Sequence, residues 1–224
     1  GDRPMIAIDP MGLGDSDPTP WDSPTIEDHA AALLAALSAL NVDRFDVYGS
    51  HFGARAATEM AVMASDRVAH LVLDGAGHLE ETFRSELLEN YAPPMQIDHH
   101  GSQLRWSWHF ARDSFLFWPH FSRDAEHARM VGLPSAEALH DRTVQVLKNA
   151  HSFDKNLRAA FAYPTHSKLP QVTCPTLLGQ RDAACAALLP NAKQTDHPFY
   201  DSVLSTEADV AAWATSIREF LDNS

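Results

Sequence analysis

Tyr48-Gly49-Ser50-His51-Phe52-Gly53-Ala54 is the stretch from which the fold follows. Before it, Phe45-Asp46-Val47-Tyr48 suits a short strand. After it, residues 54–64 have helix-forming composition, with Ala57, Met60, Ala61 and Ala64 on one face. Glycines two residues before and two residues after a central side chain suit a tight strand-to-helix turn that lifts that side chain above the strand ends. Both glycines are expected where neighbouring backbone comes too close for a Cβ. The spacing centres on His51. A register centred on Ser50 would put bulky Tyr48 and Phe52 where small residues belong, so Ser50 is assigned a structural place beneath the turn.

Working outward, Val68-Ala69-His70-Leu71-Val72-Leu73 is a buried strand stopped by Asp74-Gly75-Ala76-Gly77. Met5-Ile6-Ala7-Ile8 predicts another, ending in a Gly/Asp/Ser/Pro loop. Ser23-Pro24 offers an N-cap and a first-turn proline for a helix over 30–40. Strands alternating with helices of ordinary length imply βαβ units and a parallel sheet, hence an α/β fold. From about residue 80 to 169 aromatic, His-rich helical stretches follow without a clear strand, as expected of a helical cap or lid. A strand then returns over 172–178, and residues 208–221 form a closing amphipathic helix with Val210, Trp213, Ile217 and Phe220 on one face. The expected organisation is core over 1–79, cap over 80–169 and core again over 170–224.

The 224 residues carry 30 acidic against 17 basic side chains, a net charge of −13, which repels phosphate backbones and anionic membrane surfaces. Nucleic acid and membrane are therefore not expected partners. Cys174 and Cys185 have no metal-ligand spacing and build no disulfide framework, so a reducing cytoplasm is the default location. No apolar run approaches a membrane span.

Taken together, these motifs resemble the α/β-hydrolases of the epoxide-hydrolase and haloalkane-dehalogenase branch. Residues 6–17 look like the loop after that family's fourth strand, and residues 47–54 look like its nucleophile elbow. Asp66-Arg67-Val68 with Leu71-Val72-Leu73 resembles its sixth strand, residues 174–182 its seventh strand and acid loop, and Ile217-Arg218-Glu219-Phe220-Leu221 its final helix. The resemblance implies a mostly parallel sheet flanked by helices, with a helical cap insert, and a hydrolase acting without cofactor or metal on a small molecule. Three departures stand out. His51 occupies the position of the attacking residue. His197 follows Asp182 by only fifteen residues, and the region near Asp201-Ser202-Val203, which best matches the usual histidine loop, has no histidine. The family's first three strands have no counterpart, so they are expected from the same longer polypeptide or from a companion segment. A homodimer stays open.

An imidazole titrates near neutrality and can serve as a general base, and the N-terminus of the following helix disfavours its cationic form. His51 is thus a candidate base activating water, a nucleophile forming an acyl-imidazole, or a base for a cofactor-free lyase or oxygenase; an inert relic in a ligand-binding homologue is the remaining alternative. The resemblance makes Asp182 the candidate acid, with His197 a candidate partner and Asp74 an alternative acid. Phe52 beside the elbow and His78 after the Gly75-Ala76-Gly77 turn are candidates for binding substrate, at the strand ends where open α/β sheets hold ligands. In the insert, Trp108 and Trp118, within a run of aromatics over 106–121, are candidates for the roof of an apolar pocket. Arg112 either pairs with Asp113 or holds a substrate carboxylate. An apolar or aromatic ester is the substrate so implied.

Overall fold

A computed structural model describes residues 3–77, 79–195 and 206–223. Among them run α1 (Ile26–Ala39), β1 (Phe45–Ser50), α2 (Phe52–Met63), β2 (Val68–Asp74), α3 (Glu81–Asn90), α4 (Ser102–Leu116), α5 (Ala136–Lys148), α6 (Phe153–Ala162), α7 (Thr165–Lys168), β3 (Thr176–Leu178), β4 (Ala192–Gln194) and α8 (Glu207–Asp222). The chain divides into two compact units, one of residues 25–80 with 162–224, the other of residues 1–24 with 81–161. The opening segment therefore groups with the helical insert, and residues 162–169 with the sheet.

The sheet unit holds four strands in the order β1-β2-β3-β4, every neighbouring pair parallel. Gly49 pairs with Leu73 and Ser50 with Asp74. On one face Leu71, Leu73 and Leu178 pack against Ala54, Ala57 and Ala61 of α2. On the other, Val72 and Leu177 meet Trp213 and Phe220 of α8. Each large apolar side chain buried there is worth about 1.5–3 kcal/mol, and this, more than helix propensity, holds α2 and α8 in place. The helix α1 buries Ile26, Ala30, Leu34 and Leu37 at helical spacing, the last three against Met60 and Ala64 of α2.

Several local expectations are corrected. The cap of α1 is Thr25, not Ser23, because Thr25 and Asp28 form a reciprocal capping box. The strand β3 begins at Thr176, since Pro175 has no N–H to give the ladder. The expected strand over 5–8 does not form: Met5 is 92% and Ile6 50% exposed, with no strand beside them among the described residues. An extended segment without a neighbour has no ladder to satisfy its amides, so it stays irregular.

In the insert unit α4 lies against α5. Its centre is Tyr91, in edge contact with Phe110, Trp118, His120, Phe121 and Phe161. The opening loop is fastened to this unit at Gly12, whose carbonyl accepts from Ser152 Oγ at 2.6 Å and from Asn156 Nδ2 at 3.1 Å. No described helix is long and apolar enough to cross a membrane.

Candidate active site

His51 sits between the last residue of β1 and the first of α2, at φ 51° and ψ −110°. A positive φ strains any residue with a Cβ, and such strain persists only where the surroundings enforce it. They do so here. The His51 N–H donates to the Asp74 carbonyl at 2.9 Å, and the His51 carbonyl accepts from the Ala54 amide at 3.2 Å and from Arg55 Nη1 at 3.0 Å. Gly49 makes the turn sterically feasible: a Cβ there would lie 2.1 Å from the Gly53 carbonyl oxygen. Gly53 is different. A Cβ at Gly53 would meet no described atom within 4 Å, so the close approach expected of both flanking glycines holds for Gly49 alone.

The imidazole itself is exposed. Its Nδ1 is 2.9 Å from the Ser50 hydroxyl, which makes Ser50 a partner of the ring and not merely a support beneath it. Two residues back on the same strand face, the Tyr48 hydroxyl donates to Asp74 Oδ2 at 3.1 Å. Partial burial and the Asp74 charge push the Tyr48 phenol up to about 12, although 47% of the residue remains exposed. Asp74 is fully buried. Phe52, half-buried, sets its ring edge-on to buried His29 at 5.1 Å.

Behind the turn lies charge that sequence reasoning missed. Residues 54–61 of α2 are all buried, including Arg55 and Glu59. Burial lowers the Arg55 guanidinium to about 10, with nearby Asp182 acting against the shift. Asp182 accepts the Gly75 amide at 2.7 Å and the Gly77 amide at 3.0 Å, tying the loop after β3 to the loop after β2. Its carboxyl lies above the ordinary value because burial outweighs those donors. Glu59 accepts from Tyr163 at 2.8 Å and from Lys168 at 2.9 Å. Two charged residues inside an alanine-rich helix that follows a strand were the available signal, because an isolated charge is seldom buried without a partner.

Of the other candidates, His78 and His197, with the loop near Asp201, lie outside the described residues. Three belong to the insert unit. Trp108 and Trp118 are 41% and 46% exposed, so neither is core, whereas Phe110 and Phe115 are. Arg112 pairs with Asp113 at 2.7 Å, and Arg123 binds the other oxygen of that buried carboxylate at 2.8 Å. Pairing within the insert is therefore the arrangement Arg112 takes. Among the described residues no cluster of three His, Cys, Asp or Glu side chains is placed to hold a metal ion.

Comparison with known proteins adds to this geometry. A family model described as alpha/beta hydrolase fold matches residues 2–128. A 2-hydroxy-6-oxononadienedioate/2-hydroxy-6-oxononatrienedioate hydrolase of Paraburkholderia xenovorans strain LB400 is 34% identical over 73 residues, 33% of this chain and 25% of that protein. The match thus spans a quarter of that relative's length. Among solved structures, the enol-lactonase from Burkholderia xenovorans LB400 superposes with a TM-score of 0.65 at 16% identity, over 96% of this chain and 79% of its own. A thermophilic esterase from Thermogutta terrifontis gives a TM-score of 0.64 at 21% identity, over 96% and 78%. At such identities these structures speak for the fold alone.

Proposed function

The chain belongs to the α/β-hydrolase fold family, and from that premise we propose that it hydrolyses an ester or related acyl bond in a small, apolar or aromatic organic molecule, with His51 as the reactive group. The observation that carries this reading is an exposed imidazole held at a strained turn, at φ 51°, immediately before α2. Packing does not select such a residue: the side chain fills no core and the backbone strain costs about 1–3 kcal/mol.

With Nδ1 engaged by Ser50, proton exchange with substrate falls to Nε2. Nε2 takes a proton from water as the water oxygen attacks the acyl carbon, and the carbonyl π electrons move to oxygen. That oxyanion is stabilised by the N–H groups of Phe52 and Gly53, the first two of α2, which have no acceptor within the helix, whereas the Ala54 amide is taken by the His51 carbonyl. When the tetrahedral intermediate collapses, the bond to the leaving oxygen breaks and the imidazolium returns its proton there. Acid and alcohol are released and His51 is neutral again. The relative's name, a dienedioate hydrolase, and the neighbour's, an enol-lactonase, support activated carbonyl compounds as the substrate class.

The test is turnover of p-nitrophenyl esters by the wild type, His51→Ala and His51→Gln. Loss of a positioned base predicts a fall of about 100-fold or more in kcat/KM. Unchanged ester turnover in His51→Ala would refute the role of His51. Deuterium exchange at a carbon acid without ester turnover would transfer the site to lyase or oxygenase chemistry, and ligand binding with no turnover of any class would make the chain a binding protein.

A further inference from the structure

Arg55 reaches back one turn along α2 to the elbow. The residue is buried, and its Nη1 donates to the His51 carbonyl at 3.0 Å. Among the described residues its Nε has no hydrogen-bond partner. A guanidinium taken out of water with a donor unused is costly, so packing alone does not account for it. What it holds does.

The peptide between His51 and Phe52 is trans. In a trans peptide the carbonyl and the N–H point in opposite directions within one plane. With the His51 carbonyl turned to the buried guanidinium, the Phe52 N–H faces the other way, off the N-terminal end of α2. That N–H is one of the two donors assigned above to the oxyanion.

The combination of φ 51° and ψ −110° at His51 lies outside the regions open to a residue with a Cβ. The nearest open region is the left-handed one, at φ about +57° and ψ about +47°. The φ of His51 already suits it, and only ψ is wrong, by nearly half a turn. Rotating the His51–Phe52 peptide by that amount relieves the strain. The same rotation swings the His51 carbonyl off Arg55 and carries the Phe52 N–H round to the buried side. The bond from the His51 N–H to the Asp74 carbonyl belongs to the preceding peptide and does not resist it. Two bonds do, from the Ala54 amide at 3.2 Å and from Arg55 Nη1 at 3.0 Å. A hydrogen bond from a charged donor is roughly twice as strong as a neutral one, so Arg55 carries the larger share.

We infer that Arg55 is a positioning residue of the reaction: by holding the His51 carbonyl it keeps the His51–Phe52 peptide from turning over, and so aims the Phe52 N–H at the oxyanion. The inference rests on the hydrolysis proposed above for its chemistry, whereas the orientation of the peptide exists without turnover.

Crystal structures of Arg55→Met and Arg55→Lys test the geometry. Methionine keeps an unbranched apolar stem and removes every donor. Lysine keeps the buried positive charge on a stem too short to bring it to the place of Nη1, and it stands in should Arg55→Met fail to fold. In both variants the peptide is expected to turn, taking ψ of His51 from −110° to about +47°. The chemistry is read with p-nitrophenyl esters and the matching thionoesters, in which sulfur, a weak acceptor, replaces the carbonyl oxygen. Loss of one oxyanion donor predicts a kcat about 100- to 1000-fold lower on the oxygen ester with KM unchanged, and a preference for oxygen over sulfur that shrinks by about 10-fold or more. An incompletely folded variant lowers both rates together and leaves that preference where it was. A His51 ψ that stays near −110° in the variants overturns the inference, even if turnover falls. A turned peptide with an unchanged oxygen-to-sulfur preference overturns it as well. If the wild type hydrolyses no ester, the proposed function fails by that result alone, and a turned peptide still upholds the hold of Arg55 on the Phe52 N–H.

Discussion

Exchanging each of the two glycines around His51 for alanine is the sharpest test of how the turn is built. In Gly49→Ala the new Cβ would stand 2.1 Å from the carbonyl oxygen and 2.4 Å from the carbonyl carbon of Gly53, and 2.8 Å from the Ala54 nitrogen. Ordinary contacts begin more than an ångström farther out, and all three atoms are backbone, so no rotamer change relieves the overlap. The strand end or the first turn of α2 must move. Overpacking of side chains costs about 1–3 kcal/mol; a clash against backbone belongs at or beyond the top of that range, so the expected loss is about 3 kcal/mol or more. For a chain of this size that is a fall in Tm of about 6–12 °C. In Gly53→Ala the Cβ meets no described atom within 4 Å. The substitution falls in the first turn of a helix, where alanine limits the unfolded chain more than glycine does, so the variant should range from neutral to about 1 kcal/mol more stable. Denaturant unfolding followed by far-UV circular dichroism measures both. The steric account fails if Gly49→Ala lies within about 0.5 kcal/mol of the wild type, or if the two variants lose stability equally.

Asp182→Ala should take the acceptor from the part-buried Gly75 and Gly77 amides, costing about 1–3 kcal/mol, and hydrogen exchange should accelerate at those two amides first; unchanged protection there would show that Asp182 does not hold the loop. Burial, first of all, raises the phenol of Tyr91 to about 12 and that of Tyr163 further. Because the folded state favours the neutral phenol, the stability this contributes is whole below about pH 10 and is lost as pH climbs toward 12. A spectrophotometric titration should therefore show Tyr163, which is 5% exposed, ionising only together with unfolding, and its ionisation near pH 10 in a chain that stays folded would contradict its burial.

What was legible in the sequence was local. The glycine spacing around His51, the apolar run at Val68 and the helix that follows the turn each announce themselves within about a dozen residues, and all three are present. The run at Met5-Ile6-Ala7-Ile8 looks equally strand-like, but a strand exists only through its neighbour, and composition does not reveal a neighbour. Conversely, Ala192-Lys193-Gln194 has no strand signal at all and pairs with β3 regardless. The polar side chains around the elbow were illegible for a related reason. Tyr163 and Lys168 reach Glu59 from 104 and 109 residues away, and Asp182 reaches Gly75 from 107. No spacing rule spans such separations. Tyr48 and Asp74 were individually visible, as a strand residue and a strand-end acid. Only the parallel register of β1 and β2 puts them on one face.

The left-handed backbone at His51 has a consequence for how this position would drift. Glycine tolerates that conformation freely, whereas an imidazole-bearing residue keeps a standing penalty of about 1 kcal/mol or more. A lineage that had ceased to need the ring would gain stability by exchanging it for glycine, since the change disturbs no buried neighbour of an exposed side chain. Folding alone therefore gives no reason for an imidazole at this turn.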